Sequence, residues 1–248
     1  MEFPSSIFDY PVSPEQWVDF AKLFIDLGIQ LFMDFQPQEQ DSYENGKIEF
    51  CTSSTLHRGY YHPSPVYDLI VGNTKRGKLT RKLPTTNSIV YRYIFDQNGV
   101  MRCVDRPHEN AATCPEYLLY MENKRYGITF DYFGHLAAIT EEVFANNQLI
   151  NFTLANYGFV NNNYQCFDFR TESYQYDNNG LALCAFRKLS PQSGMRIIDD
   201  IIHFERTNGY LTSYTLFHVD QPQQPSKTYP VTKKRKAQMP FVIFPSSV

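Results

Sequence analysis

The chain has 248 residues and a formal net charge of −3, and 16% of its residues are aromatic, with 20 Phe and 18 Tyr. This length is sufficient to bury a hydrophobic core without disulfides or a bound metal, and the excess of aromatic residues favours β-strands. The cysteines are odd in number and form no CxxC pair, which argues against a disulfide framework and a zinc site. They are Cys51, Cys103, Cys114, Cys166 and Cys184. We therefore expect reduced thiols and no metal or other cofactor.

The start of the chain, MEFPSSIFDYP, lacks the basic region and apolar core of a signal peptide, and no long apolar run occurs. We therefore expect a cytoplasmic protein without a membrane partner. Two basic clusters leave 14 basic against 26 acidic side chains elsewhere, a balance of −12. The clusters are Lys75, Arg76, Lys78, Arg81 and Lys82, then Lys233, Lys234, Arg235 and Lys236. They contain no aromatic residues, so we interpret them as solvated loop and tail and do not expect a nucleic-acid partner.

The first predicted element is an amphipathic helix from about residue 14 to residue 27. Ser13 is a good N-cap, Pro14 suits the first helical position, and Gln16 stands where a capping box places its second member. Because glycine commonly follows a helix end, the helix is predicted to end at Gly28. The alternation from Ile29 to Phe35 then predicts a strand.

The next segment begins with Asn45-Gly46, a pair that suits a two-residue hairpin turn. From there to about residue 87 the pattern is weak. Pro63, Pro65, Pro84 and the basic run indicate exposed irregular chain.

From about residue 88 one turn pattern recurs: an aromatic residue followed by Asp-x-x-Gly, with alternating apolar residues on both sides. It occurs at 95–99, 130–134 and 176–180, with a looser copy at 204–209. The Asp side chain can accept a hydrogen bond from the backbone ahead of it, and the Gly can adopt the left-handed conformation at the end of the turn. Asn123-Lys124 and Asn146-Asn147 are further turn candidates. Successive hairpins are therefore predicted.

The predicted fold is mainly β: a long, twisted antiparallel meander sheet or a partly rolled barrel of repeated hairpins, with one N-terminal helix packed on it. The four glycines of the repeats are unevenly spaced, which argues against a solenoid. We expect a single domain over residues 1–248. It comprises a helix and strand in 1–40, the hairpin meander in 88–218 and a linker-like basic tail segment in 220–238, and residues 239–244 could add an edge strand.

Candidate catalytic groups are few. On a two-residue turn at Asn208-Gly209, His203 and Glu205 would share a face with Tyr210, Thr212 and Tyr214, but solvated sheet faces commonly contain such residues. His108 and Cys114 lie in one predicted loop without a family signature. The Asp-x-x-Gly sets offer one carboxylate each, which suits turns better than calcium sites. We therefore do not expect an enzyme.

The stretches YRYIFDQNGVM, YGITFDYFGHLAAIT and SYQYDNNGLALCAF resemble the Tyr-Asp repeat hairpins of Rhs-type toxin shells. Residues 88–218 also resemble small β-rich immunity proteins of bacterial polymorphic-toxin loci. The resemblance implies a binding protein that neutralises a cognate protein toxin by covering its active site. An acidic surface would steer a basic partner such as a nuclease-like domain. Carboxylates that could serve are Glu39, Asp41, Glu44, Glu49, Glu141, Glu142, Asp199 and Asp200.

Two other classes of function stay open at this point. A small-ligand or glycan-binding β-barrel without catalysis would line a cavity with Tyr and Trp rings. An enzyme would need a polar pocket around His203 or His108.

Overall fold

Twelve antiparallel strands form one sheet, and their order in space follows their order in the chain. The computed structural model describes residues 13–36, 46–53, 59–70, 77–85, 89–105, 114–178, 180–190, 196–207, 210–219, 223 and 225–231. The strands are β1 (Lys47–Ser53), β2 (Ile89–Phe95), β3 (Met101–Asp105), β4 (Glu116–Met121), β5 (Lys124–Phe130), β6 (Leu136–Ala145), β7 (Gln148–Val160), β8 (Asn163–Asp177), β9 (Gly180–Ser190), β10 (Arg196–Thr207), β11 (Tyr210–His218) and β12 (Lys227–Pro230).

The sheet is open. Within the described strands, β1 and β12 are the two edges and do not pair with each other, so the sheet is not closed into a barrel. Phe50 on the β1 edge exchanges two backbone hydrogen bonds with Thr80, at 2.8 and 2.9 Å. The β12 edge is short and carries Lys227 and Pro230, residues that limit pairing with another chain. The predicted meander is confirmed, and part of the predicted linker-like tail is this strand. Residues 239–244 lie outside the described residues.

Helix α1 (Pro14–Asp34) covers one face of the sheet, which we call the α1 face. The predicted capping box is present: Gln16 N–H donates to the Ser13 hydroxyl and Ser13 N–H to the Gln16 side chain, both at 3.2 Å. The helix buries Trp17, Phe20 and Phe24 against the middle strands, because the 3.6-residue period places these rings on one side. The indole N–H of Trp17 donates to the Thr171 hydroxyl at 3.0 Å.

The predicted end of this helix is wrong. The helix continues through Gly28 to Asp34, and the strand predicted from Ile29 to Phe35 is helical up to Asp34. Gly28 is a buried contact point with β7, where Tyr157 packs against the helix backbone. The glycine therefore serves close packing within the helix instead of ending it.

Residues 59–70, which we call the strap, cover the opposite face of the sheet, the strap face. The strap ends in a short helix, α2 (Pro65–Ile70), whose Val66 and Leu69 pack with Phe152 and other buried residues of the sheet. Tyr61, earlier in the strap, is fully buried. The expectation that residues 59–70 are exposed is therefore wrong, because the strap packs apolar side chains on one face of the sheet.

Two of the predicted Asp-x-x-Gly turns are confirmed in detail. In the first, Asp96 Oδ1 accepts from the backbone N–H groups of Asn98 and Val100, both at 2.9 Å, and Gly99 has φ +78°. The second, at 131–134, has the same bonds. The third copy differs, because Asp177 and Gly180 pair as strand residues.

The asparagine turns are confirmed in part. Asn146 and Asn147 both have positive φ, as a tight hairpin turn requires. The turn predicted at Asn123-Lys124 lies one residue earlier, since β5 begins at Lys124. A turn at Asn161-Asn162, also with positive φ, was not predicted. Residues 45, 208 and 209 of the remaining predicted turns lie outside the described residues.

Candidate functional site

A continuous series of ring contacts runs from the tip of the β5–β6 turn to the end of α1. Neighbouring ring centroids are 4.3 to 6.1 Å apart. We call this series the aromatic ladder, and in contact order it consists of Phe133, His135, Phe159, Tyr164, Phe32, Phe130, Tyr117 and Phe35. Exposure falls along it: Phe133 is 84% exposed and Phe159 39%, whereas Tyr164 and the rings after it are half-buried. One end of the ladder is therefore in solvent and the other is part of the core.

The turn chemistry of Asp131 holds the exposed end in place. Its Oδ1 accepts from the backbone N–H groups of Phe133 and His135, both at 2.8 Å, and Gly134 closes the turn with φ +82°. Its Oδ2 lies 3.3 Å from Nδ1 of His135. The His135 ring stacks on Phe159, with centroids 4.3 Å apart. The backbone that carries Phe133 is thus fixed, although the ring itself faces water.

The C-terminal turn of α1 forms the other side of this surface. Phe32 packs on Phe130 and Tyr164, and the Phe35 N–H donates to the Phe32 carbonyl at 3.2 Å to cap the helix. Asp34 is exposed and accepts a hydrogen bond from the Gln30 side chain at 2.9 Å. The last turn has no basic residue, so the helix C-terminus adds negative potential there.

Of the predicted acidic partner-binding residues, the five that the structure describes do not form an exposed patch. Glu39, Asp41 and Glu44 lie outside the described residues. The other five are buried, with 0 to 8% of their surface exposed: Glu49, Glu141, Glu142, Asp199 and Asp200. Their role in partner binding stays a prediction, but their burial removes them from the surface that a partner would first meet.

The burial of the acidic pairs follows from strand geometry. Consecutive strand residues point to opposite faces, so Glu141 lies on the α1 face and Glu142 on the strap face. Glu141 pairs with Lys124 at 3.0 Å and Glu142 with Arg125. Asp199 and Asp200 are divided in the same way, with Asp199 bound to Arg187 and Asp200 to His218. Both faces are covered, so neither carboxylate of a pair reaches open solvent.

A buried polar network joins the strap to the sheet. The Tyr61 hydroxyl donates to Glu142 at 2.9 Å, and the Ser64 hydroxyl donates to both oxygens of Glu172, at 2.8 and 2.7 Å. Ser64 also accepts from the Tyr67 N–H at 3.0 Å, as an N-cap of α2 does. The Tyr174 hydroxyl donates to Glu172 as well. Although Ser64 lies beside a carboxylate, it is fully buried, so the pair anchors the strap.

Electrostatics at this network favour a fixed protonation state. Burial alone would lower the pKa of Arg125, but the charge of Glu142, the hydrogen bond to it and the neighbouring Tyr61 and Tyr120 together outweigh burial and raise the pKa. Burial and then the charge of Glu172 hold the pKa of Tyr174 well above its usual range. Burial has the same effect on the pKa of the Cys184 thiol. The phenol and the thiol therefore stay protonated and the guanidinium stays charged.

The histidine site considered on β10 is not formed. A bulge after Glu205 shifts the register, so His203 lies opposite Thr215 and Glu205 opposite Ser213. Tyr214 pairs with Phe204 and therefore projects from the other face. His203 is exposed and packs edge-on against Phe217, with centroids 5.0 Å apart.

The cysteines are free thiols, as predicted. Burial raises the pKa of Cys166 to about 11, which keeps this thiol protonated at neutral pH. Cys114 is half-buried, and His108 lies outside the described residues. Among the residues whose side chains are described, no group of His, Cys, Asp and Glu is arranged to hold a metal ion.

The ladder was missed by sequence reasoning, although a signal for it exists. The first Asp-x-x-Gly turn carries Gln97 and Asn98, polar residues typical of turns, whereas the second carries Tyr132 and Phe133. The formation of the turn does not require two large rings at these solvent-exposed positions.

Comparison with protein-family models and with curated proteins finds no match for this chain. Neither of the helices described here has the length and the apolar sequence needed to cross a membrane.

Proposed function

We propose that the protein is an immunity-type inhibitor that binds a cognate protein toxin and neutralises it by covering the toxin's active site. The observation that supports this most directly is the exposed end of the aromatic ladder, where Phe133 is 84% exposed on a fixed turn. Exposed apolar clusters on soluble proteins commonly mark interaction sites, and aromatic residues are enriched among the residues that dominate binding energy.

The support beneath the exposed rings suits this role. Phe159 packs on Tyr164, which packs on Phe32 of α1, with centroids 5.0 and 5.4 Å apart. A ring held in this way loses little conformational freedom when a partner covers it, and preorganisation of this kind raises affinity. Tyr132 and Val160, at 46% and 45% exposed, extend the apolar surface at the same end of the sheet.

A ligand-binding barrel is not proposed, because that alternative depended on a closed sheet and the sheet is open. On the strap face, the buried carboxylates of Glu142 and Glu172 are bonded within the chain by Tyr61 and Ser64. These two carboxylates therefore hold the fold together.

The test begins with the tagged protein in its native host, where a co-eluting toxin domain is identified by mass spectrometry. Capture alone is not sufficient, so the purified toxin domain is then assayed with increasing amounts of this protein. We expect stoichiometric loss of toxin activity. Phe133→Ala and Phe159→Ala should each weaken the complex about tenfold or more, as hot-spot residues do.

Matched controls are available on another part of the sheet. His203→Ala and Phe217→Ala also remove exposed rings in mutual contact, and they should inhibit like the wild type. Toxin activity that is unaffected by the wild-type protein would overturn the proposal. So would ladder variants that inhibit as well as the two controls.

A further inference from the structure

We infer that the exposed end of the aromatic ladder is a cation-binding surface that takes Arg or Lys side chains from a basic segment of its partner, which builds on the proposed function in naming a protein partner. The surface consists of Phe133, His135 and Phe159, with Asp131 beneath the turn. Asp34 lies at the end of α1, two residues after Phe32, and the ladder joins Phe32 to Phe159 through Tyr164. Its chemistry follows from three observations: the charge of its segments, the helix terminus and the free faces of its rings.

Two segments that supply most of the ladder contain no Lys or Arg. Residues 23–46 and 126–169 have no Lys or Arg, although the chain has 23 in total. Seven of the eight ladder residues come from these two segments, and Tyr117 is the exception. The described carboxylates next to ladder residues in the chain include Asp34 and Asp131, and Asp34 is exposed. The potential at this surface is therefore negative, which attracts a basic partner and repels an acidic one.

The end of α1 reinforces that potential. Its last carbonyl groups carry the negative end of the helix dipole, and Asp34 lies in the same turn with no basic residue to compensate it. Lys, Arg and His are stabilised in the last turn of a helix, because they interact favourably with the negative end of its dipole. A cation supplied by a partner would meet the same stabilisation.

The aromatic rings add to the negative potential a second feature of a cation site. A Lys or Arg group within about 6 Å of a ring centroid is attracted to the negative face of the ring. Several rings of this chain have one of its own guanidinium groups over them. The Cζ atom of Arg125 lies 5.0 Å from the ring centroid of Tyr61, and that of Arg187 lies 5.6 Å from the ring centroid of Trp17. Within the part of the chain that the structure describes, no Lys or Arg lies over Phe133 or Phe159. Their exposed faces are thus open to a cation from outside.

The test uses the full-length, isotope-labelled protein and a probe of known composition. Acetyl-Gly-Arg-Gly-Arg-Gly-amide is titrated, and amide chemical shifts are followed by NMR. We expect shifts confined to residues near 32–35, 131–135 and 159–164, which weaken as salt rises. Phe159→Ala and Asp34→Asn should each weaken binding about two- to fivefold, the size of an exposed cation–π or single-charge contact.

Controls distinguish cation binding from non-specific binding. The matched peptide with Glu in place of Arg should cause no shifts, and neither should a short thymidine oligonucleotide. Phe217→Ala, which removes an exposed ring elsewhere, and Asp19→Asn, which removes an exposed carboxylate from the first half of α1, should bind the Arg peptide like the wild type. Binding of the Glu peptide or the oligonucleotide at this surface would overturn the inference, as would Arg-peptide shifts that lie elsewhere or an affinity for the Arg peptide that Phe159→Ala leaves unchanged.

The two proposals fail separately. If no toxin is inhibited but the Arg peptide binds at the ladder, the cation surface stands and the immunity role falls. If a toxin is inhibited through Phe133 while the peptide causes no shifts, the immunity role stands and the cation chemistry is wrong.

Discussion

The phenol oxygen of Tyr157 occupies the space in which a side chain on Gly28 would begin, and its hydroxyl donates a hydrogen bond to the Ile25 carbonyl at 2.9 Å. Ile139 approaches the same point to 3.1 Å. Helix α1 and strand β7 are therefore as close as a residue without a Cβ atom allows. This contact sets the distance between the aromatic face of α1 and the sheet.

Gly28→Ala should destabilise the protein by about 1–3 kcal/mol, as overpacking of a filled core does. In an exposed helix the same change would stabilise by about 1 kcal/mol, so the sign of the effect is diagnostic. Urea denaturation measures it. Adding Tyr157→Phe should recover part of the loss, because the hydroxyl that clashes is gone. An alanine variant as stable as the wild type would contradict the close contact.

Gly99→Val should lower the free energy of unfolding by about 1–2 kcal/mol or more, because a branched side chain fits poorly at φ +78°. No atom lies within 4 Å of the position that a Cβ would take, so the cost is conformational and not steric. Gly99→Asn should cost less, since Asn tolerates this region.

Gly158→Ala is the control for that measurement. Gly158 does not have positive φ, and a Cβ there would meet only Phe167, at an ordinary 3.9 Å. Thermal or urea unfolding should show little change for this variant. Equal stability of the Gly99→Val and Gly158→Ala proteins would rule out the proposed role of the left-handed turn.

Arg125→Met should cost about 3–5 kcal/mol, because it leaves the fully buried Glu142 without its cation. Replacing both residues, Arg125→Met with Glu142→Leu, should be less damaging than the single change. Lys22→Met, at an exposed ion pair with Asp19, should have little effect. Denaturation of the wild type, Arg125→Met, Glu142→Leu, the double variant and Lys22→Met gives the comparison, and strictly additive losses at Arg125 and Glu142 would show that the pair is not coupled.

Stability should fall as pH rises above about 10, the ordinary pKa of tyrosine. Burial raises the pKa of Tyr126, Tyr157, Tyr174 and Tyr176 in the folded protein. The unfolded chain then loses its phenol protons first, so it binds fewer protons than the folded protein and is favoured by alkali. Urea unfolding across the alkaline range measures this slope. Tyr157→Phe should make it shallower, and an unchanged slope would exclude Tyr157 as a contributor.

The hairpins were predictable because their signals are local. Asp96 and Gly99 are three residues apart, and the bonds that define the turn lie within it. The true end of α1 was not predictable in the same way. Gly28 is explained by Tyr157, which lies far along the chain, and no local pattern distinguishes a glycine at a close contact from one that ends a helix.

The candidate site was predicted less well, and for a physical reason. Adjacent carboxylates such as Glu141 and Glu142 suggest an exposed acidic patch only if one face of the strand is in solvent. Here α1 covers one face and the strap covers the other, and the strap has no regular periodicity that reveals its burial. The ring of Phe133 was overlooked because the turn that carries it was assigned a folding role alone.

The coincidence of strand order and chain order has a kinetic consequence. Residues 54–88 separate β1 from β2, but from β2 to β12 each strand can pair with the next after closing a short loop. The sheet is therefore rich in contacts of low sequence separation, which favour fast folding. Helix α1 and the strap contact the sheet over much longer sequence separations. The hydrogen bond from Trp17 to Thr171 spans 154 residues and the one from Ser64 to Glu172 spans 108. Loop closure over such lengths costs more entropy than a hairpin does. We therefore expect neighbouring strands to pair first, and α1 and the strap to dock onto a sheet that already exists.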